Sequence, residues 1–204
     1  AETDFRIKEG IVQFTGSVTT SSSPYGLRAI RAEVGSGGTL LLSSTYTLGG
    51  DSTGNNGSWG TIQLEGGTLE VNGAHYLPPA SPGAPPSIIL AAGRVTGTQP
   101  LHASHAGALI TSLPSPSSSM IGNSGLSATY GSIHFDVADG DASTDLVIHA
   151  AVAGSNQTGV IKTGSGTLSL AGRNSFNGST WVALGTLELA ASGTLRFVRN
   201  ASGV

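Results

Sequence analysis

The residues of this chain that could carry chemistry are few, and their spacing decides little in their favour. Gly50-Asp51-Ser52-Thr53-Gly54 satisfies the pattern G-x-S-x-G. A nucleophile elbow needs a strand before the serine and a helix after it, so that the hydroxyl stands proud beside an oxyanion hole. Asn55-Asn56-Gly57 follows instead, and a polar loop is the expectation. Asp136, Asp139, Asp141 and Asp145 gather around Gly140 and could offer oxygens to Ca²⁺, but their spacing fits neither an EF-hand nor the calcium-binding nonapeptide repeat. They make a weak calcium candidate beside the plainer reading of a solvated turn. His102 and His105 would share one face of a helix and suit a metal, yet Pro100 and Gly107 argue against a helix there. His75, His134 and His149 fall in or next to extended segments and read as outward or packed residues. Arg94, Lys162 and Arg173 show no arrangement with the aspartates that lyase chemistry on a polysaccharide would require. No catalytic set, metal or cofactor is therefore expected.

Aromatic side chains are the remaining candidates. Tyr25, Tyr46, Trp59, Tyr76 and Trp181 stand in a Ser-, Thr- and Gly-rich chain, where an exposed ring could stack on a sugar. Trp59, Tyr76 and Trp181 are the best of these for a glycan ligand. Only 10% of residues are charged and the net charge is −3, with no basic stripe, so nucleic acid is an unfavoured partner. The absence of cysteine removes disulfides and thiol chemistry. No apolar run reaches the roughly 20 residues that span a bilayer, so no membrane insertion of this segment is expected.

Whatever chemistry these residues do must be positioned by a repeating element. Gly-Thr-Leu or Gly-Thr-Ile recurs at Gly38, Gly60, Gly67, Gly166, Gly185 and Gly193. Each copy leads into alternation, as in Leu168-Ser169-Leu170 or Leu187-Glu188-Leu189, which places apolar side chains on one face of a short strand. A glycine before each strand permits the positive φ of a tight corner. Several intervals lie near the length at which a unit cannot bury its apolar face alone and must stack on the next. Shorter intervals, Gly60 to Gly67 and Gly185 to Gly193, fit successive strands of one coil, so two or three faces per coil are expected. Ile7 to Phe14, Ile88 to Leu90, Ile133 to Val137 and Leu146 to Ile148 alternate in the same way, and Arg28 to Val34 is read as extended rather than helical. The proline- and serine-rich stretches 78–86 and 113–119 break the rhythm and read as loops bulging from the stack.

One stretch is more specific. Gly159-Val160-Ile161-Lys162-Thr163-Gly164-Ser165-Gly166-Thr167-Leu168-Ser169-Leu170-Ala171-Gly172-Arg173-Asn174 continues through Phe176, Gly178, Thr180, Val182 and Gly185-Thr186-Leu187. It resembles the autotransporter-associated β-strand repeat, also called the passenger-associated transport repeat, and the match widens to about 145–190 with the strand that precedes it. The resemblance implies an all-β chain, a right-handed single-stranded parallel β-helix over residues 1–204, at or released from a bacterial surface, with no catalytic residues to carry over. Trp181 takes a position where the repeat usually has a small polar residue, which allows an outward ring, while core filler or a hydrophobic cover is the plainer reading.

The expected function is thus a non-catalytic extracellular spacer or self-associating surface element. Its partners would be neighbouring domains of a longer chain, or other copies meeting end to end through Ile7, Val12, Phe14, Leu195 and Phe197. A carbohydrate-binding or adhesive module is the alternative, and a polysaccharide-acting enzyme a distant third.

Overall fold

The computed structural model describes residues 4–15, 31–44, 61–77, 87–103, 107–128, 131–154 and 158–190. All the regular structure among them is β. The chain opens with two long strands, β1 (Asp4–Phe14) and β2 (Arg31–Leu42). Four turns of three strands follow: β3 (Thr61–Glu65), β4 (Thr68–Val71) and β5 (His75–Leu77); β6 (Ile88–Ala91), β7 (Arg94–Thr96) and β8 (Leu101–Ala103); β9 (Ala108–Ser112), β10 (Ser119–Ile121) and β11 (Gly125–Ala128); β12 (Ile133–Val137), β13 (Leu146–Ile148) and β14 (Ala151–Gly154). Next come β15 (Val160–Thr163) and β16 (Thr167–Leu170), whose third side is a single bridge from Ser175 to Ala153, and then β17 (Thr180–Val182) and β18 (Thr186–Leu189).

Every strand pair is parallel, and each strand lies on the equivalent strand of the turn before. The result is a three-sided parallel β-helix. Face A stacks the first half of β2 under β3, β6, β9, β12, β15 and β17; face B stacks its second half under β4, β7, β10, β13, β16 and β18; face C stacks β5, β8, β11 and β14. Three sides replace the two or three expected. β1 and β2 run unbroken from face A into face B, with a register shift between Ile7 and Glu9 where the strand turns the corner.

Alternation then has a physical meaning: odd and even positions point into or out of the prism. On face B the interior column reads Val12, Leu40, Leu69, Val95, Ile121, Ile148, Leu170, Leu189, each residue in register with the next. On face A it reads Phe5, Ala32, Ile62, Ile88, Ile110, Phe135, Lys162, Val182. These columns form the core, and most of their members are wholly buried. No turn could bury its own inward side chains without the neighbour above and below.

Four of the Gly-Thr-Leu copies, at Gly38, Gly67, Gly166 and Gly185, start the strand on face B, whereas Thr61-Ile62 starts face A. The expected positive φ of the signature glycine holds at Gly185, at 75°, but not at every copy. At Gly67 and Gly166 the left-handed φ belongs to the preceding corner glycine, Gly66 or Gly164. The signature glycine itself is required by close approach: a Cβ at Gly67 would lie 2.4 Å from the Val34 carbonyl oxygen, and one at Gly166 2.4 Å from that of Ala138. Of the two loop segments, 113–118 forms the connection between β9 and β10, with Ser119 already in the strand and buried. Residues 78–86 lie outside the described residues, as do Gly50 to Gly54, Trp59, His105, Leu195 and Phe197.

Candidate functional site

Three places on the solenoid gather polar side chains: the corner between faces A and B near the C-terminal end, the outer surface of face A beside it, and the outer surface of face C. At the corner, Lys162 occupies the interior column position above Phe135 and is fully buried. Its Nζ donates to three main-chain carbonyls, those of Thr163 (2.7 Å), Gly164 (2.7 Å) and Leu184 (3.1 Å). Burial pushes the lysine below its ordinary value, while Asp136 and Asp145 act in the opposite sense. Across the same corner the buried Asp145 receives the Gly140 N–H through Oδ1 and the Thr167 N–H through Oδ2, both at 2.8 Å. A tight corner leaves main-chain donors and acceptors without a ladder partner. Here a buried ammonium takes the carbonyls and a buried carboxylate takes the N–H groups.

This arrangement fixes the fate of the acidic cluster. Asp145 points inwards and is committed to the backbone, Asp136 faces outwards from β12, and Asp139 and Asp141 are exposed on the connection that follows. Among the described residues, no group of three or more metal-binding side chains is placed to hold an ion. Arg94 and Arg173 are exposed, on different sides of the prism from the buried lysine, and the three basic groups do not converge.

On the outer surface of face A, His134, Asp136 and Thr163 form a chain. Thr163 Oγ1 donates to Asp136 Oδ1 at 2.9 Å, and His134 Nε2 lies 2.8 Å from the same hydroxyl. The hydroxyl has one proton, already directed at the carboxylate, so His134 must donate from Nε2. Burial lowers the His134 pKa, and the Asp136 charge opposes that shift. In the neighbouring outward column His134 is in register with Ile161 and Ile161 with Trp181. Trp181 is 61% exposed and so is not core filler. At the other end of the same face the outward positions are engaged in ion pairs: Arg6 and Arg31 with Glu33, and Arg31 with Gln63, which in turn binds Glu65.

Face C carries the third arrangement. Tyr76, His102 and Ser127 are successive outward residues. The Tyr76 and His102 rings stack at 4.9 Å and 24°, and Ser127 Oγ lies 2.7 Å from His102 Nδ1. Inside the same face His75 begins the column Leu101, Leu126, Val152 and is buried, and neither ring nitrogen has a hydrogen-bond partner. Desolvation, with a smaller contribution from His102, lowers its pKa to about 4. His149 is exposed.

The anticipated association edges divide. Ile7 packs into the core, and Val12 and Phe14 are half-buried against it, so β1 presents its backbone edge rather than these side chains. Among the described residues β1 pairs only with β2, β17 only with β15 and β18 only with β16. Lys162 was missed as an interior group, whereas His75 takes the packed one of the two readings its sequence position allowed. The lysine had a signal, since it replaces an apolar residue at an inward position of an alternating strand; His75 had one in its spacing from Leu77.

The fold and these sites now bear on kinship. Compared with curated proteins and with solved structures, the chain finds no match. Residues 160–189, which hold Lys162, the glycine corner, β16, β17 and β18, match the family model of the passenger-associated-transport-repeat, bearing out the resemblance seen in the sequence of that segment.

Proposed function

We propose that this chain is a rigid, non-catalytic rod segment of a passenger exposed at or released from a bacterial surface. The repeat at 160–189 and the β-solenoid fit an autotransporter passenger module. The observation that carries the rod reading is the unbroken interior column from Val12 to Leu189. Because each turn is held by its neighbours, stiffness accumulates along the axis and length scales with the number of turns, about 4.8 Å for each.

Removal of one whole turn tests this. Ile133 pairs with Ala108 below and Val160 above, so deleting residues 133–159 brings Val160 onto Ala108 and keeps every strand in phase. Small-angle scattering should then show a particle of the same cross-section, shorter by about one strand spacing. Collapse to an unfolded profile, or release of reducing ends from a polysaccharide panel by the purified chain, would contradict the proposal.

A further inference from the structure

We propose that the outer surface of face A, between Trp181 and the Asp136–Thr163–His134 chain, is a binding subsite for neutral pyranose sugars. Four observations carry it. First, Trp181 belongs to an outward column: its in-register neighbours Ile161 and His134 are outward residues, while Lys162 and Val182 between them are inward. Val182 and Leu189 are exposed because no described turn lies above them, at 41% and 46%. Trp181 is exposed for a different reason, since it faces sideways. A further turn stacked on β17 would cover the strand edge and leave the face of the ring in solvent.

Second, the residue beside it in the adjacent outward column is small. Ala183 follows Thr163 in that column, as the bond from Ala183 N–H to the Lys162 carbonyl shows, and its side chain is a single methyl group. Third, the polar groups have unused capacity. Asp136 accepts one hydrogen bond through Oδ1, and among the described residues its Oδ2 has none. The contrast is with the other end of face A, where Arg6, Arg31 and Glu33 satisfy one another.

Fourth, the scale and charge fit. β12 and β17 are two strands apart, about 10 Å by sheet spacing, so one ring on the indole leaves the next ring of an oligosaccharide against the polar chain. The C–H face of a pyranose stacks on an aromatic ring, and its hydroxyls donate to a carboxylate and exchange bonds with a threonine hydroxyl. Among the described residues the cation beside Asp136 is the Lys162 ammonium, which is turned inwards onto three carbonyls and does not offer itself to an acidic sugar.

The inference goes beyond the rod, and the two fail separately: scattering reads the rod, binding reads the patch. Trp181 has one companion tryptophan, Trp59, so the full chain carrying Trp59→Phe reports Trp181 by its emission. Titration with neutral hexose oligomers should give a saturable blue shift for at least one of them, insensitive to salt between 0.05 and about 0.5 M because no ion pair is formed. Trp181→Ala should weaken binding at least tenfold on a glycan array, Trp181→Phe much less, and Asp136→Asn about three- to tenfold, with thermal melts showing each variant folded. Tyr76→Ala, on face C, should leave binding unchanged. No saturable binding by any neutral oligomer at millimolar concentration overturns the proposal. So does binding that survives Trp181→Ala, or binding confined to acidic polymers and abolished by salt.

Discussion

Replacing His75 by leucine should make the protein much less sensitive to acid. The side chain sits at the start of an interior column, 2% exposed, under Leu101, with both ring nitrogens unpartnered. Its pKa falls from 6.5 to about 4, chiefly because burial disfavours the charged imidazole, and His102, the titratable group that adds to the shift, faces outwards on the next turn. The sign follows directly. As the pH drops, the unfolded chain takes up a proton near 6.5 while the folded chain does not until about 4, so stability is full above pH 6.5 and is lost through that interval. At 1.36 kcal/mol per pH unit the full interval amounts to about 3 kcal/mol, of which about 2.5 kcal/mol is already lost at pH 4.5.

Urea denaturation of the natural chain and of His75→Leu at pH 7.5 and 4.5 measures this. The variant should lose about 2.5 kcal/mol less than the natural chain between the two conditions, since carboxylate titrations are common to both and cancel. It should also gain at pH 7.5, because a leucine continues the Leu101–Leu126–Val152 column and removes two buried, unbonded nitrogens, each such group costing about 1–3 kcal/mol. Equal acid losses in the two proteins would refute the reasoning, and with it the assignment of His75 to the interior.

Three further outcomes follow from the corners. Lys162→Met keeps an unbranched chain in the core but leaves the carbonyls of Thr163, Gly164 and Leu184 without their donor, so stability should fall by about 2–3 kcal/mol, with hydrogen exchange accelerating first in β17 and β18. Gly185→Ala should be destabilising by at least about 2 kcal/mol in thermal melts, because a Cβ at φ +75° would lie 2.5 Å from the carbonyl oxygens of Gly164 and Gly166. Ala92→Gly should raise stability by roughly 0.5–1 kcal/mol, since Ala92 is the sole non-glycine residue at positive φ among those described, at 53°; a loss would show that its methyl group contributes packing that outweighs the strain.

The sequence was most legible where apolar alternation and the glycine corner occur together. Leu168-Ser169-Leu170 and Leu187-Glu188-Leu189 declared their face directly, and Ile133 to Val137 and Leu146 to Ile148 did so by alternation alone. Between Gly67 and Gly166 the signature is incomplete: before β7 the glycine persists as Gly93, in close approach to Leu64, but Arg94-Val95 follows it in place of Thr-Leu. At the corner before β13 Asp145 stands where the signature has threonine, opposite Thr167, and its carboxylate binds the N–H groups of Gly140 and Thr167. Nothing in the local spacing reveals that role, since its partners lie five residues back and one turn ahead. The number of faces was half legible, as two or three: β1 and β2 pass through a corner as continuous strands, and the corner shows only as a change of phase, from inward Phe5 and Ile7 to inward Val12 and Phe14 in β1, and as the exposed Ser36 and Gly37 in β2. The patch on face A was half legible. Trp181 stood out by type, whereas Asp136, Thr163 and His134 meet only because successive turns superpose them.

Lys162 and Asn174, unlike the unbonded His75, are polar members of the interior columns that share a logic. On face A the column is apolar through Ala32, Ile62, Ile88, Ile110 and Phe135 and turns polar at Lys162; on face C it is apolar through Leu101, Leu126 and Val152 and turns polar at Asn174, whose Oδ1 takes the Val152 N–H while its Nδ2 donates to the Gly172 carbonyl. In both, the side chain exchanges apolar contact for bonds to the backbone of a corner. Such a substitution loses burial energy of about 2 kcal/mol and gains only where corner groups would otherwise lack partners. Lys162 and Asn174 both fall within residues 160–189, the segment that matches the transport-repeat family. Asn123 and Asp145, in the turns below, bond backbone groups in the same manner, so what the repeat contributes is two further internal locks at the end of the described stack. They tie the last described strands to the column below through bonds that do not depend on a further turn above.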